Sequence, residues 1–202
     1  MMAQYDFPKM QKKLSKYLDE NRYQHTLGVM YTCACLAMVH GYDLQAAQCA
    51  GLLHDSAKCI PAKKKLKMCA QNNVPITEFE IEHPFLIHAK LGAYIAREKY
   101  GVTDEEILDA ITYHTTGRPE MGKLEKIVYI ADYIEPQRFK APNLDQIRIL
   151  AFQDLDECMY AILKNILAYL GENPSNVDLA SLKAYDYYRN LHHTRRQFKE
   201  PV

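Results

Sequence analysis

Gly51-Leu52-Leu53-His54-Asp55-Ser56-Ala57-Lys58 closes an apolar run with a His–Asp pair. Two polar groups are a poor end for a core helix, but imidazole and carboxylate are both ligands for Zn, Fe or Mn. Neighbours at a helix end reach one ion if the local turn is tight. Two ligands do not hold a catalytic metal alone, so the pair predicts partners elsewhere. His25 lies upstream in Asn21-Arg22-Tyr23-Gln24-His25-Thr26, and Asp132 downstream in Tyr129-Ile130-Ala131-Asp132-Tyr133.

Outward from that stretch the hydrophobic period is helical almost throughout, with no alternating strand runs and no Asn-Gly or Asp-Gly hairpin signal. Helices are expected from about Lys9 to Glu20, from Arg22 to His40 with Gly41 as the stop, and from Asp43, an N-cap, to His54. Pro61 opens a further helix over Ala62 to Gln71, with four lysines outside. Thr77-x-x-Glu80 and Thr103-x-x-Glu106 read as capping boxes. Phe85 to Tyr100, Lys123 to Ile134, a long helix from Leu144 to Leu170 and a last one from Asp178 to Leu191 complete the set. The expected fold is all-α: one helical bundle domain spanning 1–191 and a polar, frayed C-terminal tail over 192–202.

The 202 residues are 48% hydrophobic and 25% charged, with net charge zero, enough for a sizeable core and without the basic balance of a duplex nucleic-acid binder. A locally positive site for a small anion stays open. The N-terminus shows no apolar signal segment, and no apolar run approaches the ~20 residues of a membrane span. Cys33, Cys35, Cys49, Cys59, Cys69 and Cys158 follow no disulfide framework. They read as free thiols of a cytoplasmic protein.

Eight histidines need sorting. His25 alone would read as a satisfied helix residue; with His54, Asp55 and Asp132 it becomes a fourth ligand on three helices that a bundle can converge. Asp132 sits in a segment apolar nearly all round, so it is expected to be buried and must be paired, hydrogen-bonded or metal-bound. An ion pair with Lys58 or Arg138 is the alternative. His88 and His114 lie on or at the end of apolar helical faces. Either could bind a second metal beside a bridging Asp55, or donate to a phosphate. His83 reads as a loop residue, His40 as a helix C-terminal cation, and His192 and His193 as tail.

The order His25, His54-Asp55, Asp132 resembles the H…HD…D signature of the HD-domain metal phosphohydrolases. The longer motifs Arg22-x-x-His25-Thr26, Leu53-His54-Asp55-x-Ala57-Lys58, Ile87-His88-Ala89-x-x-Gly92-Ala93, Tyr113-His114-Thr115-Thr116-Gly117-Arg118-Pro119 and Ala131-Asp132-Tyr133-Ile134-Glu135-Pro136-x-Arg138 resemble its YqeK-type subfamily, the symmetrical bis(5′-nucleosyl)-tetraphosphatases of bacteria. The resemblance runs from about Arg22 to Tyr188.

It implies an HD-domain bundle with His25, His54, Asp55 and Asp132 as ligands of a divalent metal, iron first, with Mn, Co or Zn as alternatives. It implies catalytic roles for Asp55, Lys58, His88 and His114, with His88 and His114 facing phosphate or completing a second metal site. Arg22, Lys58 and Arg138 would neutralise phosphate. Ala131, Asp132, Ser181 and Tyr185 would contact substrate, the last helix closing over the nucleoside. The implied reaction is symmetrical hydrolysis of diadenosine tetraphosphate to two ADP, and a homodimer is implied as well. The apolar stretch Met159-Tyr160-Ala161-Ile162-Leu163 serves core or interface equally. An HD-type nucleotidase or phosphodiesterase acting on other nucleotides and a nucleotide-sensing module without turnover are the alternatives.

Overall fold

The computed structural model describes residues 5–171 and 177–197. Eleven helices and no strand occur among the described residues. In chain order they are α1 (Phe7–Leu14), α2 (Glu20–His40), α3 (Leu44–Leu53), α4 (Ala62–Gln71), α5 (Glu78–Glu82), α6 (His88–Tyr100), α7 (Glu105–Tyr113), α8 (Lys123–Ile134), α9 (Leu144–Ala151), α10 (Leu155–Leu170) and α11 (Leu179–Gln197). Local chemistry sets most ends. Asp19 and Asp43 accept from Arg22 N and Ala46 N, Thr77 and Glu80 close the expected capping box, and Gly41 ends α2 at φ 61°.

The centre is α8, whose Leu124, Ile127, Val128, Ile130, Ala131 and Ile134 are all buried. It packs on α2, α3, α7 and α10, while α7 also lies against α3 and α6. The α2–α3 contact is unusually close: a Cβ on Gly51 would sit 2.9 Å from Cys33 Sγ and 3.0 Å from Met30 Cα. Glycine there lets the backbone of α3 approach α2 one turn before His54. A smaller core of Ala57, Cys69, Ile87, Leu91 and Ile95 lies under α4 and α6. All six cysteines are free thiols. Met159, Ile162 and Leu163 are fully buried, so the Met159–Leu163 stretch belongs to the core of the subunit.

Boundaries that differ from the expectation do so for local reasons, and the helix expected from Phe85 opens only at His88, after a turn over 84–87. The helix from Leu144 to Leu170 is two helices, because Asp154 leaves the helix to accept from Asp156 N and Glu157 N and so caps α10. Asp104, not Thr103, caps α7 and accepts from Glu106 N. The first helix ends at Leu14, where a turn through Ser15–Tyr17 takes over. The last helix does not fray at Leu191: 192–197 continue α11, with His192 bonded to Glu157 and Arg195 to Asp154 and Asp156. Residues 198–202 of the expected tail lie outside the described residues.

Candidate metal centre

Three of the site histidines stand at helix ends. His54 caps the C-terminus of α3, His114 that of α7, and His88 opens α6. Each bonds through Nδ1 to the carbonyl three residues back: His54 to Gly51 at 2.7 Å, His114 to Ile111 at 2.6 Å, and His88 to Phe85. A carbonyl only accepts, so Nδ1 carries the proton and the lone pair is left on Nε2. His25, in the second turn of α2, reaches the same state differently, donating Nδ1–H to Glu135 Oε1 at 3.0 Å. Tight turns with Ser56 N on Leu53 O and Lys58 N on Asp55 O follow α3 and turn Asp55 inward beside His54.

The four Nε2 atoms converge on Asp55, which is 2% exposed. Its Oδ2 lies 3.4 Å from His54 Nε2, 3.8 Å from His25 Nε2 and 2.8 Å from Arg22 NH1. Its Oδ1 lies 3.1 Å from His88 Nε2, 3.7 Å from His114 Nε2 and 3.8 Å from Lys58 Nζ. Asp132 Oδ1 stands 3.1 Å from His25 Nε2 and 2.6 Å from Arg138 NH2. Three overlapping triplets, His25–His54–Asp55, His54–His114–Asp132 and Asp55–His88–His114, each hold their ligand atoms within 4.8 Å of one another. The expected division into four ligands and a separate histidine pair is thus blurred: His114 reaches both groups. His25 Nε2, His54 Nε2 and Asp55 Oδ1 are buried without a hydrogen-bond partner. Orphaned lone pairs facing one another are costly unless a cation sits among them, so the donor set fits a divalent metal.

Charge is arranged accordingly. Burial would raise the Asp55 carboxyl, but His54, His114 and His88 outweigh it and hold it well below its ordinary value. Burial opposes the same effect at Asp132, where the nearness of His25 and His54 and the Arg138 guanidinium hold the carboxyl well below its ordinary value. Burial, reinforced by His114 and Lys58, pushes His88 down to about 4 against the pull of Asp55. Asp132 is not sealed in as expected: 24% of its side chain faces a cleft of about 450 Å³. His114, Thr115, Tyr129, Tyr133 and Arg138 also line it.

Arg22, Lys58 and Arg138 are therefore at the cluster, and Lys58 Nζ stands 3.2 Å from His88 Nε2 as well as near Asp55. Three expected substrate contacts are placed otherwise. Ala131 is fully buried in the core, its carbonyl taken by Glu135 N. Ser181 donates to the Thr116 carbonyl at 3.0 Å, tying α11 to the loop after His114. Tyr185 stacks on Tyr160 at 6.0 Å and does not line the cleft. His83 and His40 bond to the Phe79 and Ala151 carbonyls, away from the cluster. Two residues without an assigned role join it: Glu135 behind His25, and Thr115, whose Oγ1 is 3.2 Å from His114 Nε2 and 3.4 Å from His88 Nε2. Both lie inside the longer motifs read in the sequence, and Glu135 was detectable besides as an acid in an apolar stretch.

A family model, the HD domain, matches residues 22–137. This chain belongs to the HD-domain family. The matched span runs from Arg22 through every HD-motif residue to just past Asp132. Among its relatives, a protein of Bacillus subtilis (strain 168) named symmetrical bis(5′-nucleosyl)-tetraphosphatase is 43% identical over 157 residues, covering 78% of this chain and 83% of that one. One of the same name from Staphylococcus aureus is 36% identical over 186 residues, covering 88% and 92%. The crystal structure of a predicted HD superfamily hydrolase involved in NAD metabolism from Clostridium acetobutylicum superimposes with a TM-score of 0.87 at 35% identity, covering 94% of this chain and all of that one.

Proposed function

We propose that this HD-domain protein is a metal-dependent symmetrical bis(5′-nucleosyl)-tetraphosphatase that hydrolyses diadenosine tetraphosphate to two ADP. The observation that carries the reading is the set of four inward Nε2 atoms around buried Asp55, on a chain 36–43% identical to relatives of that name over most of its length. His25, His54, Asp55 and Asp132 would hold the metal, iron first by the resemblance. Asp55 Oδ1, turned to His88 and His114, would with those residues offer the donors for a second ion. A divalent cation held there supplies Lewis acidity to a phosphoryl oxygen and lowers the pKa of water toward neutrality.

The chain's own groups do the rest. Arg22 and Lys58 flank Asp55 and Arg138 flanks Asp132, so three cations border the place where phosphate charge must be held. The neutral imidazole of His88, held so down to about pH 4, accepts a proton or a hydrogen bond through Nε2. Tyr129, Tyr133 and Ile166 give the cleft beside Asp132 an apolar wall for a nucleoside. Ser181, which donates to the Thr116 carbonyl, would act on that site by holding the loop after His114. Attack at an inner phosphorus would keep one ADP half on these groups while the other leaves.

No helix among the described residues is long and apolar enough to cross a membrane. The free thiols suit the cytoplasm. A homodimer remains part of the proposal through the resemblance alone, with sedimentation as its test. The deciding experiment incubates metal-loaded protein with diadenosine tetraphosphate and resolves the products. ADP as the only product is expected; AMP plus ATP would reject symmetrical cleavage, and no turnover with Fe, Mn, Co or Zn would reject the activity.

A further inference from the structure

Each of the three histidines at helix ends is oriented by its own backbone: the Gly51 and Ile111 carbonyls lie in the last turns of α3 and α7, where carbonyls lack helical partners, and the Phe85 carbonyl lies in the turn before α6. His25 cannot use that device. It lies inside α2, where the carbonyls of the preceding turn already serve the helix. Its Nδ1 needs an acceptor from another element, and Glu135 supplies it across 110 residues of chain.

The placement of Glu135 follows from its neighbour. Pro136 disfavours helical backbone at the residue before it, and Glu135 leaves α8 at φ −51°, ψ 155°. Its side chain turns back against α2, where it is 1% exposed. One carboxylate oxygen accepts from His25 Nδ1 at 3.0 Å and the other from Gln137 N at 2.8 Å. The room for it is made by Gly28, where a Cβ would stand 2.6 Å from Glu135 Oε2. Glycine in the middle of a helix costs about 0.5–1 kcal/mol against alanine, so its presence calls for a packing reason.

We infer that Glu135 is the positioning residue for His25, fixing which nitrogen carries the proton and aiming Nε2 between Asp132 and Asp55, with Gly28 as the gap that admits it. The inference rests on the metal-holding part of the proposed function and not on the substrate.

The test is Mn²⁺ affinity by chelator competition, with melting of the metal-free proteins alongside. Glu135→Ala should weaken Mn²⁺ about 100-fold and Glu135→Gln about 10-fold, since a glutamine retains one acceptor for His25. Gly28→Ala, which touches neither metal nor substrate, should weaken Mn²⁺ by displacing the carboxylate. Wild-type affinity in Glu135→Ala, even with a lowered melting temperature, would overturn the inference and leave the metal centre standing. A wild-type protein that binds no Mn²⁺, Fe²⁺ or Co²⁺ would overturn both.

Discussion

His54 and Asp132 each contribute a ligand atom to the overlapping triplets of the cluster. Replacing either by alanine should lower kcat by at least ~100-fold and reduce bound metal in the same preparation, measured by turnover and elemental analysis. Retained activity in His54→Ala would remove the metal assignment. His88 makes a separate statement about pH. Its folded pKa, about 4, lies below the ordinary 6.5, so in chelated protein the unfolded chain binds a proton first as pH falls. The stability it contributes is complete above pH 6.5 and is lost between 6.5 and about 4. Urea unfolding of the chelated protein should fall across that window, and His88→Gln should flatten the fall. Asp55 and Asp132, with depressed pKa values, lose their share only below the ordinary carboxyl value, in a lower window.

Among the elements, α9 has a role that its modest length conceals. Its Arg148 donates to the carbonyls of Ile134 at 3.0 Å, Glu135 at 3.2 Å and Arg138 at 2.8 Å. One guanidinium thereby shapes the segment that carries Glu135 to His25 and Arg138 to Asp132. Arg148→Met keeps the apolar stem and strands three acceptors, so unfolding free energy should drop by about 1–3 kcal/mol in denaturant titration. Turnover should fall as well, although Arg148 touches neither Asp55 nor Asp132. An unchanged denaturation midpoint would show that water replaces the arginine. The helices themselves were legible wherever an end was set locally. Lys123–Ile134 is bounded as expected because Gly122 and Pro136 flank it, and α2 stops at a glycine with positive φ. The split between α9 and α10 was not, because Asp154 sits in an otherwise continuous helical period and only its side-chain bonds show that it caps.

The whole molecule brings His25, His54, Asp55, His88, His114 and Asp132 together from α2, the α3 end, α6, the α7 end and α8. A ligand that binds this assembled set and not the unfolded chain stabilises by mass action. Mn²⁺ at about 100 times its dissociation constant should add about 2.7 kcal/mol to the unfolding free energy. Excess chelator should remove that increment, and His54→Ala should not show it. Calorimetric melting with and without Mn²⁺ measures the difference; equal melting temperatures would deny a site that exists only in the fold.

The amino-acid sequence by itself determined the helical class, most caps, and the inventory of ligand-type residues, because these depend on side chains within a few positions of each other. An aspartate before a helix, a glycine after one, or a histidine beside an aspartate carries its chemistry wherever the chain goes. The tertiary structure alone decided which atoms meet. It turned both oxygens of Asp55 to different histidines, gave His114 to both groups, opened Asp132 to a cleft, set Tyr185 on Tyr160 instead of in that cleft, and carried α11 past Leu191 by pairing Arg195 with α10. Those outcomes follow from packing between segments as far apart as Gly28 and Glu135, where a missing methyl on one helix admits the carboxylate that aims a histidine on the same helix.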